Sequence, residues 1–583
     1  MQLARRTWLP SVALLALGLA LTLPRLGASG LWDPWEPKYA QTPREMAARG
    51  DWIIPWFHDD PRLNKPPLTY WLIGAAQAAL GPTETAARLP SALLGVAAAV
   101  ALSLAFAAHG RRIEGLLAGA ALLTSPGWVL LSRFATPDVP LASFLGIALA
   151  AILATPAARG PGLRRAVFLT VLLSLAAAGL TEWPRGWLLP AWAALAWGAV
   201  RARPAWILAL AAASALYAAG QQLHDVALNL AAVAVVVLGG MAAASREGGI
   251  GRRTWLVLLA GLFLLAAPWF VAAYRLEPQE LSIFEYKNAF NLGESIRLHR
   301  GSLDAVVRIV ALGGLPWSAV ALAGLLRAWG RSRDPLAERL AGALVGALLY
   351  FTLAEPRMGH FYAVLLPAVA GLAAVGIGGL ARKADWRAPV VAAAAVAIGI
   401  GAWNAPSRIL EAATVKHALY GFDLATPAVA ATVAWAVLLL AALAVRRLPA
   451  TLACVLPAAL FAAWVGMRLV PALDEKKSVR SLWRAYEQQR AGDEPIALLG
   501  EVKFGCYYYS NDSIVEFESP DEVRAYLAGG GDRFFVSTGE VYEALSADFS
   551  EAGSWEAVRT GHPTHLLARF SPFSAGEARL PTR

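Results

Sequence analysis

The chain has 583 residues, of which 57% are hydrophobic and only 16% charged, with a mean hydropathy of +0.50. Soluble domains average nearer a quarter charged, so the composition excludes an ordinary soluble enzyme and indicates a membrane protein. The net charge of +10 does not mark a nucleic-acid binder, because its basic residues cluster in short gaps between apolar runs, at every second gap.

Fifteen apolar runs follow in chain order: 8–24, 89–108, 114–131, 139–155, 166–181, 186–200, 205–220, 225–244, 254–273, 305–326, 338–353, 361–380, 388–404, 424–445 and 449–470. Most are long enough to cross a hydrocarbon core of about 30 Å. Backbone polar groups cannot go unpaired in lipid, so these runs are expected to be helices, about 13–15 of them spanning. Met1 to Ser29 has the outline of a signal peptide, but cleavage would leave only a few residues before an acidic motif; an uncleaved first helix is expected. The basic clusters are Arg5-Arg6, Arg111-Arg112, Arg164-Arg165, Arg201 with Arg203, Arg252-Arg253, Arg331 with Arg333, Arg382-Lys383 and Arg446-Arg447. They follow the positive-inside pattern, which puts the N-terminus and these loops in the cytoplasm. The opposite face then receives two long loops, 25–88 and 275–304, and shorter turns carrying Asp138, Glu182-Trp183-Pro184-Arg185 and Glu355 to His360. Every unusual polar cluster falls on that external face.

Residues 1–470 therefore read as a transmembrane domain and 471–583 as a soluble extracytoplasmic α/β domain. In the latter, Lys477 to Gln489 reads as an amphipathic helix, 495–499, 513–517 and 533–537 as strands, and 520–527 as a helix. Tyr507-Tyr508-Tyr509 reads as an aromatic strand serving packing rather than sugar binding. Cys454 lies in an apolar run and Cys506 in the polar tail, so neither a disulfide nor a metal-type cysteine spacing is expected.

The 25–88 loop concentrates the chemistry. It holds Asp33, Glu36 and Lys65 among Trp32, Trp35, Trp52, Trp56, Tyr70 and Trp71. An interfacial aromatic belt with snorkelling charges would explain part of this set. It does not explain carboxylates placed directly after a span. A partly desolvated carboxylate can take a proton from a hydroxyl or amine, and Lys65, stiffened by Pro66-Pro67, suits a fixed phosphate contact.

The stretches Glu36 to Met46, Gly50 to Pro55, Lys65-Pro66-Pro67 and Tyr70-Trp71 resemble the first external loop of bacterial GT-C glycosyltransferases. The branch is that of the protein O-mannosyltransferases and the lipid A aminoarabinose transferase. Pro137-Asp138, Pro184 with Gly186, Pro268-Trp269, His299-Arg300 and Leu315-Pro316-Trp317 continue the resemblance in order, over about residues 8–370. It implies that an acid of the first loop is the catalytic base, ordinarily the first of an adjacent Asp-Glu pair. Here Trp35 precedes Glu36 and Asp33 stands across Pro34, so either Asp33 or Glu36 can fill the role; Asp33 is preferred. Asp138 matches a second acid of the site and would otherwise be a helix N-cap. Lys65 matches a donor-phosphate contact, with Arg300, Arg357 and Arg185 as further candidates. Arg185 would replace a lysine absent from this third turn. Tyr39, Tyr70, Trp71, His299, His360 and Tyr362 would line the substrate pocket.

The implied function is inverting transfer of a sugar from a polyprenyl-phosphate donor to an extracytoplasmic lipid, glycan or protein acceptor, in the bacterial inner membrane. The sequence permits a divalent metal without implying one, and nucleic acid is not expected. A transporter or flippase for a lipid-linked solute is the alternative, but it calls for charges near mid-bilayer, and these are nearly absent. A non-catalytic anchor for the C-terminal domain leaves the first loop unexplained.

Overall fold

The computed structural model describes residues 8–201, 203–223, 226–248, 251–279, 310–329, 333–353, 359–382, 425–492, 494–499, 504–511, 513–517, 520–558 and 565–573. Among the described residues, nine helices are long and apolar enough to cross a membrane, from Glu84–Ala108 to Leu448–Ala472. Four shorter apolar helices join them: Leu9–Thr22, Leu68–Leu80, Pro204–Gly220 and Trp317–Leu326. The run 388–404 and most of the loop 275–304 lie outside the described residues.

Helix pairs approach closely where their contact rows carry small residues. A Cβ on Gly346 of Pro335–Leu353 would lie 2.6 Å from the Trp192 backbone of the neighbouring helix Arg185–Val200. Such contact replaces the hydrophobic driving force that lipid cannot supply between helices. The expected run 114–131 is two helices, Arg112–Thr124 and Pro126–Leu131. Pro126 has no N–H and holds Ser125 extended (φ −69°, ψ 123°), so the helix stops there. The Thr124 and Ser125 hydroxyls donate to the Ala120 and Ala121 carbonyls at 2.7 Å, and Thr124 also accepts Trp317 Nε1–H at 2.9 Å. This break turns the chain into the segment leading to Asp138.

The 25–88 connection is itself ordered. It contains the helices Glu36–Arg49 and Leu68–Leu80 and a two-residue-per-strand hairpin, Trp56–Phe57 with Asp60–Pro61. Glu36, Tyr39, Ala40, Pro43 and Met46 form one buried helical stripe of the first helix, and Pro37, Gln41, Thr42 and Glu45 are buried beside it. Gln77 of the second donates to the Ala40 carbonyl at 2.9 Å.

Toward the C-terminus the chain builds a five-stranded sheet in the order Val515–Glu516, Ile496–Leu498, Arg533–Thr538, His565–Pro572, Gly553–Val558. The first three strands are parallel and the last two pairings antiparallel. Side chains alternate along the strands, so each face has its own core. Phe534 and Val536 pack with Tyr486 of the helix Arg480–Gln489 and with Tyr507. Phe535 packs with Val523 and Leu527 on the other face. The helix expected at 520–527 is found at Pro520–Ala528. The helix Gly539–Asp548 and the last two strands were not anticipated.

Tyr507-Tyr508-Tyr509 is not a strand but part of the helix Phe504–Ser510. Three bulky aromatics in a row favour a strand by local propensity, but helical spacing sends them in different directions. Tyr507 enters the sheet core, while Tyr508 joins the cluster of Tyr39, Tyr70 and Leu31. Cys454 and Cys506 are both buried free thiols.

Candidate active site

Asp33 and Glu36 are separated by what holds them. Glu36, 1% exposed, receives Arg88 Nε at 2.8 Å and Nη2 at 2.7 Å. It also accepts the backbone N–H of Trp32 at 2.9 Å and of Ala135 at 2.8 Å. Its two oxygens thus receive four donors, about the full capacity of a carboxylate. Arg88 in turn donates to the carbonyls of Leu26, Ser29 and Gly30. Glu36 and Arg88 together pin the start of the first loop to the segment before Asp138. Asp33 instead lies at the junction with the C-terminal unit: its Oδ1 accepts Gly505 N–H at 3.0 Å, and its own N–H donates to the Lys477 carbonyl at 2.9 Å. Lys38, in the first turn of the next helix, interacts with Asp33 and lies 3.4 Å from the Phe504 ring centre. Burial and the Arg62 charge push its ammonium down to about 8, against the attraction of Asp33.

A second group gathers at the start of the helix Arg185–Val200. Lys65 Nζ pairs with Glu182, and Arg185 Nη1 bonds the same Glu182 Oε1 at 2.7 Å. The Lys65 and Glu182 side chains are only 15% and 2% exposed. Arg185 also stacks 3.7 Å from the Phe361 ring centre. Asp138, buried at the first turn of Asp138–Ala154, interacts electrostatically with Lys65. Burial holds the Lys65 ammonium below the ordinary lysine value; Arg185 adds to this, while Glu182 and Asp138 oppose it. Asp138 is therefore part of a charge cluster, with Pro137 in the cap position that the N-cap alternative assigned to it.

Tyr39 is buried and stacks on Tyr70, ring centres 5.7 Å apart. Tyr39 lies within electrostatic reach of Arg62, Asp138 and Glu182. Trp71 Nε1 donates to the Trp52 carbonyl at 2.8 Å, tying the loop to itself. Tyr362 is 3% exposed and packs edge-on against Phe351. His299, Arg300 and Arg357 lie outside the described residues, as does the side chain of His360. Among the described residues, no group of three or more His, Cys, Asp and Glu is placed to hold a metal ion.

Three residues here were not assigned from sequence. Arg88 looked like a loop boundary, although an arginine at the external end of an apolar run breaks the positive-inside rule and could have drawn notice. Glu182 was read as a departure in the third turn rather than as the shared partner of two cations. Arg62, whose guanidinium lies 5.8 Å from the Tyr39 ring centre and 5.6 Å from that of Phe57, carries no motif.

Residues 9–275 match the family model described as dolichyl-phosphate-mannose-protein mannosyltransferase. Superposed on the crystal structure of ArnT from Cupriavidus metallidurans bound to undecaprenyl phosphate, the chain is matched over 96% of its length and 97% of the other's. The TM-score is 0.68 at 19% identity. The fold is that of the GT-C glycosyltransferases. Among curated relatives, an uncharacterized protein of Aquifex aeolicus is 31% identical over 174 residues, 30% of this chain and 34% of that one. The undecaprenyl phosphate-alpha-4-amino-4-deoxy-L-arabinose arabinosyl transferase of Shewanella sediminis is 26% identical over 373 residues, 64% of this chain and 59% of that one. The chain thus spans less than two thirds of the length of either relative.

Proposed function

We propose that this multi-pass membrane protein is an inverting glycosyltransferase that moves a sugar from a polyprenyl-phosphate carrier to an acceptor outside the bacterial inner membrane. The observation that carries this reading is the pairing of two part-buried cations, Lys65 and Arg185, on the single buried carboxylate of Glu182. Such a pair suits a phosphate, which would enter by taking over part of what Glu182 now holds. Relatives named for transfer from undecaprenyl phosphate sugars support the same donor class.

The residues then divide the work. The acceptor hydroxyl or amine attacks the anomeric carbon as the bond from that carbon to the phosphate oxygen breaks. Its proton passes to Asp33, and the leaving polyprenyl phosphate keeps the bonding electrons, stabilised by Lys65 and Arg185. Asp33 fits the base better than Glu36, because Glu36 could take a proton only by giving up a donor from Arg88 or the backbone. Asp138 would keep the two cations oriented, while Arg300 and Arg357 would add to the phosphate cradle. Tyr39, Tyr70, Trp71, His299, His360 and Tyr362 are assigned to the surrounding pocket. On this reading residues 1–470 form the catalytic membrane domain and 471–583 an extracytoplasmic domain, with the N-terminus cytoplasmic.

The test is mass spectrometry of lipids that remain bound to the purified protein. A polyprenyl phosphate or its glycoside should be retained by the wild type and depleted in Lys65→Ala. Retention of ordinary phospholipid alone would overturn the donor assignment.

A further inference from the structure

The C-terminal unit touches the first loop through hydrogen bonds to the segment 27–44 and to Pro82 and Glu84 at the loop's end. Arg44 donates to the Tyr508 carbonyl at 2.7 Å, and Tyr509 hydroxyl accepts Leu31 N–H at 3.0 Å and bonds Glu84 at 3.1 Å. Asp474 Oδ1 accepts Gly30 N–H at 2.6 Å, and Arg480 pairs with Glu84 at 3.1 Å. In the middle of these contacts Gly505 N–H donates to Asp33 Oδ1 at 3.0 Å. Gly505 has no space for a side chain: a Cβ there would sit 2.6 Å from Val479 Cγ2 and 2.8 Å from Asp33 Oδ2. Real Cβ atoms do not tolerate such separations, so one of these neighbours would have to move.

We infer that Gly505 is a positioning residue for the base, its backbone amide and its missing side chain setting the place of the Asp33 carboxylate. The C-terminal unit is then a working part of the transfer site rather than an appendage. A carboxylate flexible about two side-chain torsions must be held to act as a base, since a displacement of about 1 Å can cost on the order of 10²-fold in rate. An N–H donor on one oxygen fixes the carboxylate plane, and the seam of bonds around it keeps that donor in place. Glycine is the residue that lets the amide come this close.

This rests on Asp33 being the base, so Asp33→Asn is measured beside the test variant. The test variant is Gly505→Ala combined with Val479→Ala, which relieves the contact with Val479 and leaves the one with Asp33. Affinity is read with undecaprenyl phosphate, and turnover, with cell-envelope acceptors present, as release of polyprenyl phosphate from a saturating polyprenyl-phosphate glycoside fraction. The double variant should keep undecaprenyl phosphate affinity within about twofold of Val479→Ala while turnover drops on the order of 10²-fold. Turnover equal to that of Val479→Ala, with Asp33→Asn inactive, would overturn the inference and leave the base assignment intact. An active Asp33→Asn would overturn the base assignment itself. A second measurement needs no change at Gly505: its amide should exchange with deuterium faster in full-length Asp33→Ala than in wild type. Equal exchange in the two would overturn the inference even if the double variant failed to fold.

Discussion

Glu36 and Asp33 stand three positions apart, and their surroundings give them opposite consequences on substitution. Glu36→Gln removes the charge that answers a fully buried Arg88. Breaking a buried pair typically costs about 3–5 kcal/mol, so this variant should melt well below wild type in detergent; an unchanged melting temperature would contradict its structural role. Lys65 bears on pH. Its ammonium titrates below the ordinary lysine value because burial and Arg185 disfavour the charge. Phosphate needs the charged form, so donor affinity should hold at pH below that lowered value and fall as pH rises through it. Lys65→Arg keeps its charge across the range and should flatten the profile, read as donor KM against pH. Both acids and Lys65 could be singled out from sequence as soon as the first loop was seen. Which acid was consumed by a partner could not, because Arg88 lies 52 positions away and declares itself only in three dimensions.

The first loop and the C-terminal helix Phe504–Ser510 meet as elements, and their seam was the least legible part. Apolar run length locates spanning helices, and alternation located the strands at 496–498 and 533–538. Neither signal says that three consecutive tyrosines will be split between two cores. Local propensity favoured a strand there, and tertiary contacts decided for a helix. Of the two helices inside the loop, Glu36–Arg49 escaped notice because it is polar overall and carries Pro43, and Leu68–Leu80 because its 13 residues are too short for a span. Tyr509→Phe tests the seam directly, since it removes an acceptor from Leu31 N–H and a bond to Glu84. Each net hydrogen bond contributes about 0.5–1.5 kcal/mol. Limited proteolysis should therefore release the C-terminal region faster from this variant than from wild type; equal rates would mean the seam is held elsewhere.

Over the whole molecule, the fold gives the architecture, and the arginine pattern predicts which side faces the cytoplasm. With all fifteen apolar runs spanning and the basic loops cytoplasmic, a reporter fused after Arg583 should be active only outside the cytoplasm, and cytoplasmic activity would put the entire site on the wrong face. The architecture was legible because lipid leaves a spanning backbone little choice but helices. The chemistry was legible only at motif level, since the partners that sort its residues come from distant parts of the chain. The central claim, that this fold consumes a polyprenyl-phosphate-linked sugar using Asp33, is tested most directly by one assay. Purified protein in lipid is given polyprenyl-phosphate glycosides and cell-envelope acceptors, and the lipid products are followed by mass spectrometry for wild type and Asp33→Asn. Wild type should convert the glycoside to free polyprenyl phosphate, and Asp33→Asn should do so about 10²–10⁴-fold more slowly while still binding the lipid. Conversion at equal rates by both proteins, or by neither, would contradict the account.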